Sequence, residues 1–163
     1  MPTFERLIVY SVVFAAFANS AEAQDLSGSR RALGGNDVAM AARAASQARH
    51  GDARSQAVLG FMYSTGRGVP QHFVNAAQWY RRAAEQGEPT AQYLLGLMYD
   101  KGQGVPQDQV LAQKWLILAA AKASGRQREY YARIRDAVAF KLSPAQIREA
   151  QDLAAGFRDV PER

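Results

Sequence analysis

Ser64, His72 and Asp100 are the residue types of a hydrolytic triad, in which a histidine takes the serine proton and an aspartate orients the histidine. Their spacing does not connect them, and no nucleophile elbow surrounds Ser64. His50 and His72 are the only 2 histidines; they have no partner at i+4, and the chain contains 0 cysteines. The usual zinc ligand spacings are therefore absent, and disulfides, thiolate metal sites and cysteine nucleophiles are excluded. Gly66-Arg67-Gly68 and Gly102-Gln103-Gly104 look like phosphate loops, but no lysine-serine or lysine-threonine pair follows either of them and no strand pattern precedes them. The acidic residues are scattered, without the close pair that glycoside cleavage uses. The residues point to no catalytic, cofactor-binding or metal site.

One polar cluster stands out. Arg126, Arg128, Arg133 and Arg135 surround Tyr130 and Tyr131. At helical spacing Arg128 and Arg135 share one face, and Arg126 and Arg133 share the neighbouring one. Such a cluster is either a solvated face whose tyrosines enter the core or an anionic patch. The formal charge of +5 is ordinary for a small domain, and the basic residues form no run of the kind that marks nucleic-acid binding. Charged residues make up 21% and hydrophobic ones 48%, a folded globular mixture.

The elements that must position these groups begin after an export signal. Leu7 to Ala18 is apolar apart from Tyr10 and Ser11, follows Arg6, and precedes the small-x-small triplet Ala21-Glu22-Ala23. This predicts a signal peptide over 1–23; an apolar run this short falls below the roughly 20 residues that span a bilayer. Membrane contact is expected only through this segment before cleavage, and the protein is expected in the periplasm or outside the cell. Retention as an anchor is the alternative. Residues 24–35 are polar and rich in Gly and Ser, the composition of a linker.

Beyond the linker the chain nearly repeats itself. Asp52–Gly87 and Glu88–Ala123 align without a gap, identical at 15 of 36 positions. Gly60, Tyr63, Gly66, Gly68 and Trp79 recur as Gly96, Tyr99, Gly102, Gly104 and Trp115. A period of this size marks stacked helical repeats. Ala91, Leu94, Leu95, Met98 and Tyr99 form the stripe of one amphipathic helix, and Ala112, Trp115, Leu116, Ala119 and Ala120 that of a second. Between them, glycine ends a helix and proline prevents its continuation. His72 stands at the start of a second helix, in place of a capping acid. Gly60 and Gly96 lie mid-helix, where glycine costs about 1 kcal/mol, and are expected where helices approach closely. Trp79 and Trp115 are expected to be buried.

Residues 36–51 read as the second helix of a degenerate preceding repeat. Residues 124–163 hold two closing helices, the last opened by a capping box at Ser143-Pro144-Ala145-Gln146, and a polar tail. The fold expected is an all-α, right-handed solenoid of antiparallel helix pairs, with about seven helices after the linker.

Leu95, Gly96, Met98, Tyr99, Gly102, Gly104, Val105, Asp108, Ala112, Trp115, Ala119 and Ala120 carry a pattern that resembles the Sel-one-like repeat family, relatives of the tetratricopeptide repeats. The first repeat matches it except for His72. The resemblance implies a non-enzymatic adaptor or scaffold, several relatives being exported by bacteria. A protein or peptide partner is therefore expected along the concave groove. First-helix residues thought to face away from the core, Gln56, Phe61, Gln92, Tyr93 and Leu97, are the candidate contacts. Two alternatives remain at this point. One is attachment to cell-wall or another anionic envelope polymer through the arginine-rich helix. The other is a small hydrolase of the β-lactam-binding type, which the resemblance implies for cysteine-rich relatives whose framework this chain lacks.

Overall fold

A computed structural model describes residues 33–157, which form seven helices and, among these residues, no strand. The segment expected to be a signal peptide, most of the expected linker and the tail from Val160 lie outside them. The helices are α1 (Leu33–Arg49), α2 (Ala53–Thr65), α3 (Phe73–Glu85), α4 (Pro89–Lys101), α5 (Gln109–Lys122), α6 (Gly125–Ala139) and α7 (Pro144–Ala155). Each of α2 to α6 packs on the helix before it, and α7 packs on α5. None of the described helices is long and apolar enough to cross a membrane.

Five of the seven described helices start at a side-chain cap. Asp52, His72, Glu88, Asp108 and Ser143 accept the backbone N–H three residues on, satisfying a donor that the first turn leaves orphaned. His72 does so through Nδ1, 3.2 Å from the Asn75 nitrogen, so the imidazole substitutes for the carboxylate of Asp108. The Ser143–Gln146 capping box is complete in both directions.

Helix ends are equally local. Gly66 and Gly102 adopt the left-handed conformation, and their N–H groups and those of Arg67 and Gln103 donate to the carbonyls of Met62 and Met98. Gln71 and Gln107 then tie each loop down, donating at 2.7 and 2.8 Å to the carbonyls of Ser64 and Asp100.

The mid-helix glycines set the distance within a pair. A Cβ on Gly60 would lie 2.7 Å from the Tyr80 ring, and one on Gly96 would lie 2.9 Å from Leu116 Cγ. Gly68 and Gly104 set the distance between repeats. A Cβ on either would overlap the backbone carbonyl of Asp37 or Phe73, at the start of the preceding second helix. Asp37 and Phe73 are themselves 36 residues apart, so α1 occupies the place of a second helix, as the degenerate-repeat reading expects.

Two expectations need correction. The helix of the degenerate repeat begins at Leu33, inside the segment read as linker; glycine disfavours helix there, but α1 is held from beyond by Ala41, Ala44 and Ala48, packed against Leu59 and Met62. Trp79 is only half-buried: Arg82 lies over its ring, 4.7 Å from the centroid. Trp115 is buried because Phe157, at the end of α7, meets it edge-on at 5.3 Å.

Candidate functional site

A first helix in this stack is covered on three sides. Its own second helix lies against Gly60 or Gly96, the preceding second helix against Gln56 or Gln92, and the next first helix against Tyr93. That leaves a narrow outward arc, and it corrects the expected contact surface. Gln56, Phe61, Gln92 and Tyr93 are buried; Leu97 alone of the five is partly exposed. The preceding second helix covers Gln56 and Gln92, and the next first helix covers Tyr93.

The buried glutamines have a structural task. Gln56 Nε2 donates to the Ala48 carbonyl and Gln92 Nε2 to the Ala84 carbonyl, both at 3.1 Å, across the same helix junction one repeat apart. Arg128 stands 36 residues after Gln92 but reaches a different carbonyl, its Nε donating at 2.8 Å to Ala123, three residues beyond the equivalent of Ala84. The signal for this was present in the sequence, since a polar residue retained at the same place in both repeats is retained for bonding. Tyr93 stacks on Tyr131 with centroids 4.3 Å apart and meets Tyr130 edge-on at 5.8 Å, which locks α4 to α6.

The outward arc is formed by positions i, i+4 and i+7 of α2, α4 and α6. On α2 these are Arg54, Val58 and Phe61, and on α4 Thr90, Leu94 and Leu97. On α6 they are Arg126, Tyr130 and Arg133. Apolar side chains form its floor: Leu94 and Phe61 are buried, while Val58, Leu97 and Tyr130 are half-buried. The exposed groups at its edges are Arg54, Arg126 and Arg133, all cationic.

The four clustered arginines divide as their spacing indicates. Arg128 bonds the end of α5, and Arg135 pairs with Asp136 at 2.8 Å. Arg126 and Arg133 are exposed and form no ion pair or hydrogen bond with any described residue. Tyr131 is fully buried and Tyr130 half-buried between the two free arginines.

A polar seam runs beneath this arc where α4 and α6 begin. Gln127 Nε2 donates to the Tyr131 hydroxyl at 2.8 Å. Burial pushes the Tyr131 hydroxyl well above the usual phenol range, against the bonds from Thr90 and Gln127. Burial also raises Glu88 above its ordinary value, although bonds to Ala91 and Thr90 and the Arg54 charge oppose the shift. On the opposite side of the stack, burial lowers Lys114, whose Nζ lies 4.6 Å from the Trp115 ring.

The imagined hydrolytic set is not assembled. Ser64 Oγ donates to the Phe61 carbonyl and shares a bond with the Tyr80 hydroxyl at 3.2 Å. His72 caps α3, and Asp100 is clasped by Lys141 at 2.7 Å.

The sequence profile of the Sel1 repeat matches residues 53–88 and 89–124, the two helix pairs α2–α3 and α4–α5. The crystal structure of a Sel1 repeat protein from Oxalobacter formigenes is 36% identical, with a TM-score of 0.54 over 78% of this chain and 97% of that one. The chain belongs to the Sel1 repeat family. A second Sel1-type structure is c5321, a protective antigen present in uropathogenic Escherichia coli strains and displaying an SLR fold. It is 31% identical, with a TM-score of 0.67 over 72% of this chain; the chain spans 24% of that antigen's length. No curated protein matches the chain. Sel1 repeat proteins are generally non-catalytic scaffolds that mediate contacts between proteins.

Proposed function

We propose that this Sel1 repeat protein is an exported scaffold of the bacterial envelope, binding an extended segment of a partner protein along the outward arc of α2, α4 and α6. The observation that carries the reading is the pair of half-buried apolar side chains Leu97 and Tyr130, packed against one core cluster on successive first helices, with half-buried Val58 on α2 packed on the neighbouring cluster. Contiguity matters here, because single exposed apolar residues are common on any surface. Export is supported by the apolar run Leu7–Ala18 and the Ala21-Glu22-Ala23 triplet. A protective antigen among the structural relatives fits a location outside the cytoplasm.

A photoreactive residue in place of Leu97, irradiated in intact cells, tests the arc. One dominant protein adduct is expected; labelling of glycan, or of nothing, would overturn the reading. Mass spectrometry of the mature chain tests export, with Gln24 expected as its first residue.

A further inference from the structure

The free cations of the arc are not placed at random. Arg126 and Arg133 are seven residues apart on one stripe of α6, a rise of about 10 Å. Tyr130 lies between them, half-buried, with its hydroxyl 3.2 Å from that of Tyr93. Glu129, four residues before Arg133, is the acid nearest in register, and no ion pair forms between them among the described residues. Both guanidinium groups therefore keep their donors available, either side of an aromatic platform. Arginine presents a planar fork that matches a carboxylate with two parallel hydrogen bonds.

We infer that this strip reads an acidic, extended segment of the partner, with two carboxylates three residues apart. The inference rests on the interaction reading given under Proposed function. In a polyproline II chain, residues i and i+3 return to the same side after about 9 Å. That separation matches the rise between the two arginines. The two intervening residues then lie over Tyr130, an aromatic surface of the kind on which polyproline II segments dock. Residues i and i+2 would present their carboxylates on different sides, so spacing as well as charge is recognised.

The probes are fluorescein-labelled, proline-rich nonapeptides read by anisotropy against the full chain at low salt. One carries Glu-Pro-Pro-Glu, one Glu-Pro-Glu, and one Gln-Pro-Pro-Gln. The first is expected to bind most tightly and to weaken as salt rises. The double variant R126Q/R133Q is expected to lose about tenfold in affinity for it, the sum of two exposed ion pairs. Both side chains are exposed and unbonded, so its unfolding midpoint should not move. Equal binding of the three peptides would overturn the inference. So would a sulfated glycan that binds as tightly as the first peptide, since that outcome indicates an anionic polymer. Photo-capture from Leu97 separates the two levels. If capture of the same protein is unchanged in R126Q/R133Q, the acidic reading fails while the interaction face stands. If Leu97 captures no protein in either form, the interaction reading itself fails.

Discussion

Gln92 reaches out of α4 and places its Nε2 3.1 Å from the carbonyl oxygen of Ala84, in the last turn of α3. Gln56 does the same to Ala48, one repeat earlier, at the same distance. Each carbonyl also accepts a backbone N–H, from Gly51 or Gly87, so the glutamine adds a second donor from the next helix and ties one repeat to the last.

Replacing Gln92 with leucine removes the side-chain donor from the Ala84 carbonyl, which keeps the Gly87 N–H at 3.0 Å. The expected loss is about 1 kcal/mol, the net value of one hydrogen bond, read as a fall in the urea midpoint without a change in slope. Gln56→Leu should behave alike. Gln56 also accepts from Gln86 Nε2 at 2.8 Å, so its loss frees a second group. A variant as stable as the parent would show that the bond is dispensable for stacking.

The loop glycines should prove costlier than the helix glycines. At Gly60 an added methyl meets the buried ring of Tyr80, a side chain that must repack, whereas at Gly104 it meets the backbone of Phe73 with no freedom to yield. Gly104 also holds a φ of 70°, which adds strain for any other residue. Gly104→Ala should therefore lose about 3 kcal/mol or more, and Gly60→Ala clearly less. Thermal unfolding of the two variants checks the order.

The two tryptophans, equivalent in the repeat, should separate in their effects. Trp115→Ala removes a buried side chain from beneath Phe157 and should cost about 3–5 kcal/mol. Trp79→Ala removes a half-exposed ring and should cost about half as much. Equal costs in chemical denaturation would refute the burial difference.

Glu88 gives a pH dependence of defined sign. Burial raises its folded value above the ordinary 4.5, so the folded state holds its proton more tightly than the unfolded chain. Its contribution is present below pH 4.5 and is lost as the pH rises through the folded value. Glu88→Gln keeps an oxygen for the Ala91 N–H and has no proton to lose. The stability of the variant relative to the parent should therefore increase from pH 4 to pH 7, measured by denaturant midpoints along that range.

Repeat boundaries, helix caps and helix stops were legible in the sequence because their causes are local. Asp52, His72, Glu88 and Asp108 act on an amide three residues away, and Gly66 and Gly102 act on a carbonyl one turn back. The 36-residue period extended this local information to the stack, and the close approach at Gly60 and Gly96 was correctly anticipated. The outward face was not legible in the same way. A helical stripe tells which residues are apolar, but not how many neighbours a helix has. The preceding second helix buries Gln56 and Gln92 and the next first helix buries Tyr93, and Phe157 covers Trp115 while no described helix does the same for Trp79. The sequence by itself determined the repeat and the two faces of the arginine helix. Only the tertiary structure decided that Arg128 and Arg135 are engaged while Arg126 and Arg133 are free, because that depends on which groups from distant helices come within bonding distance.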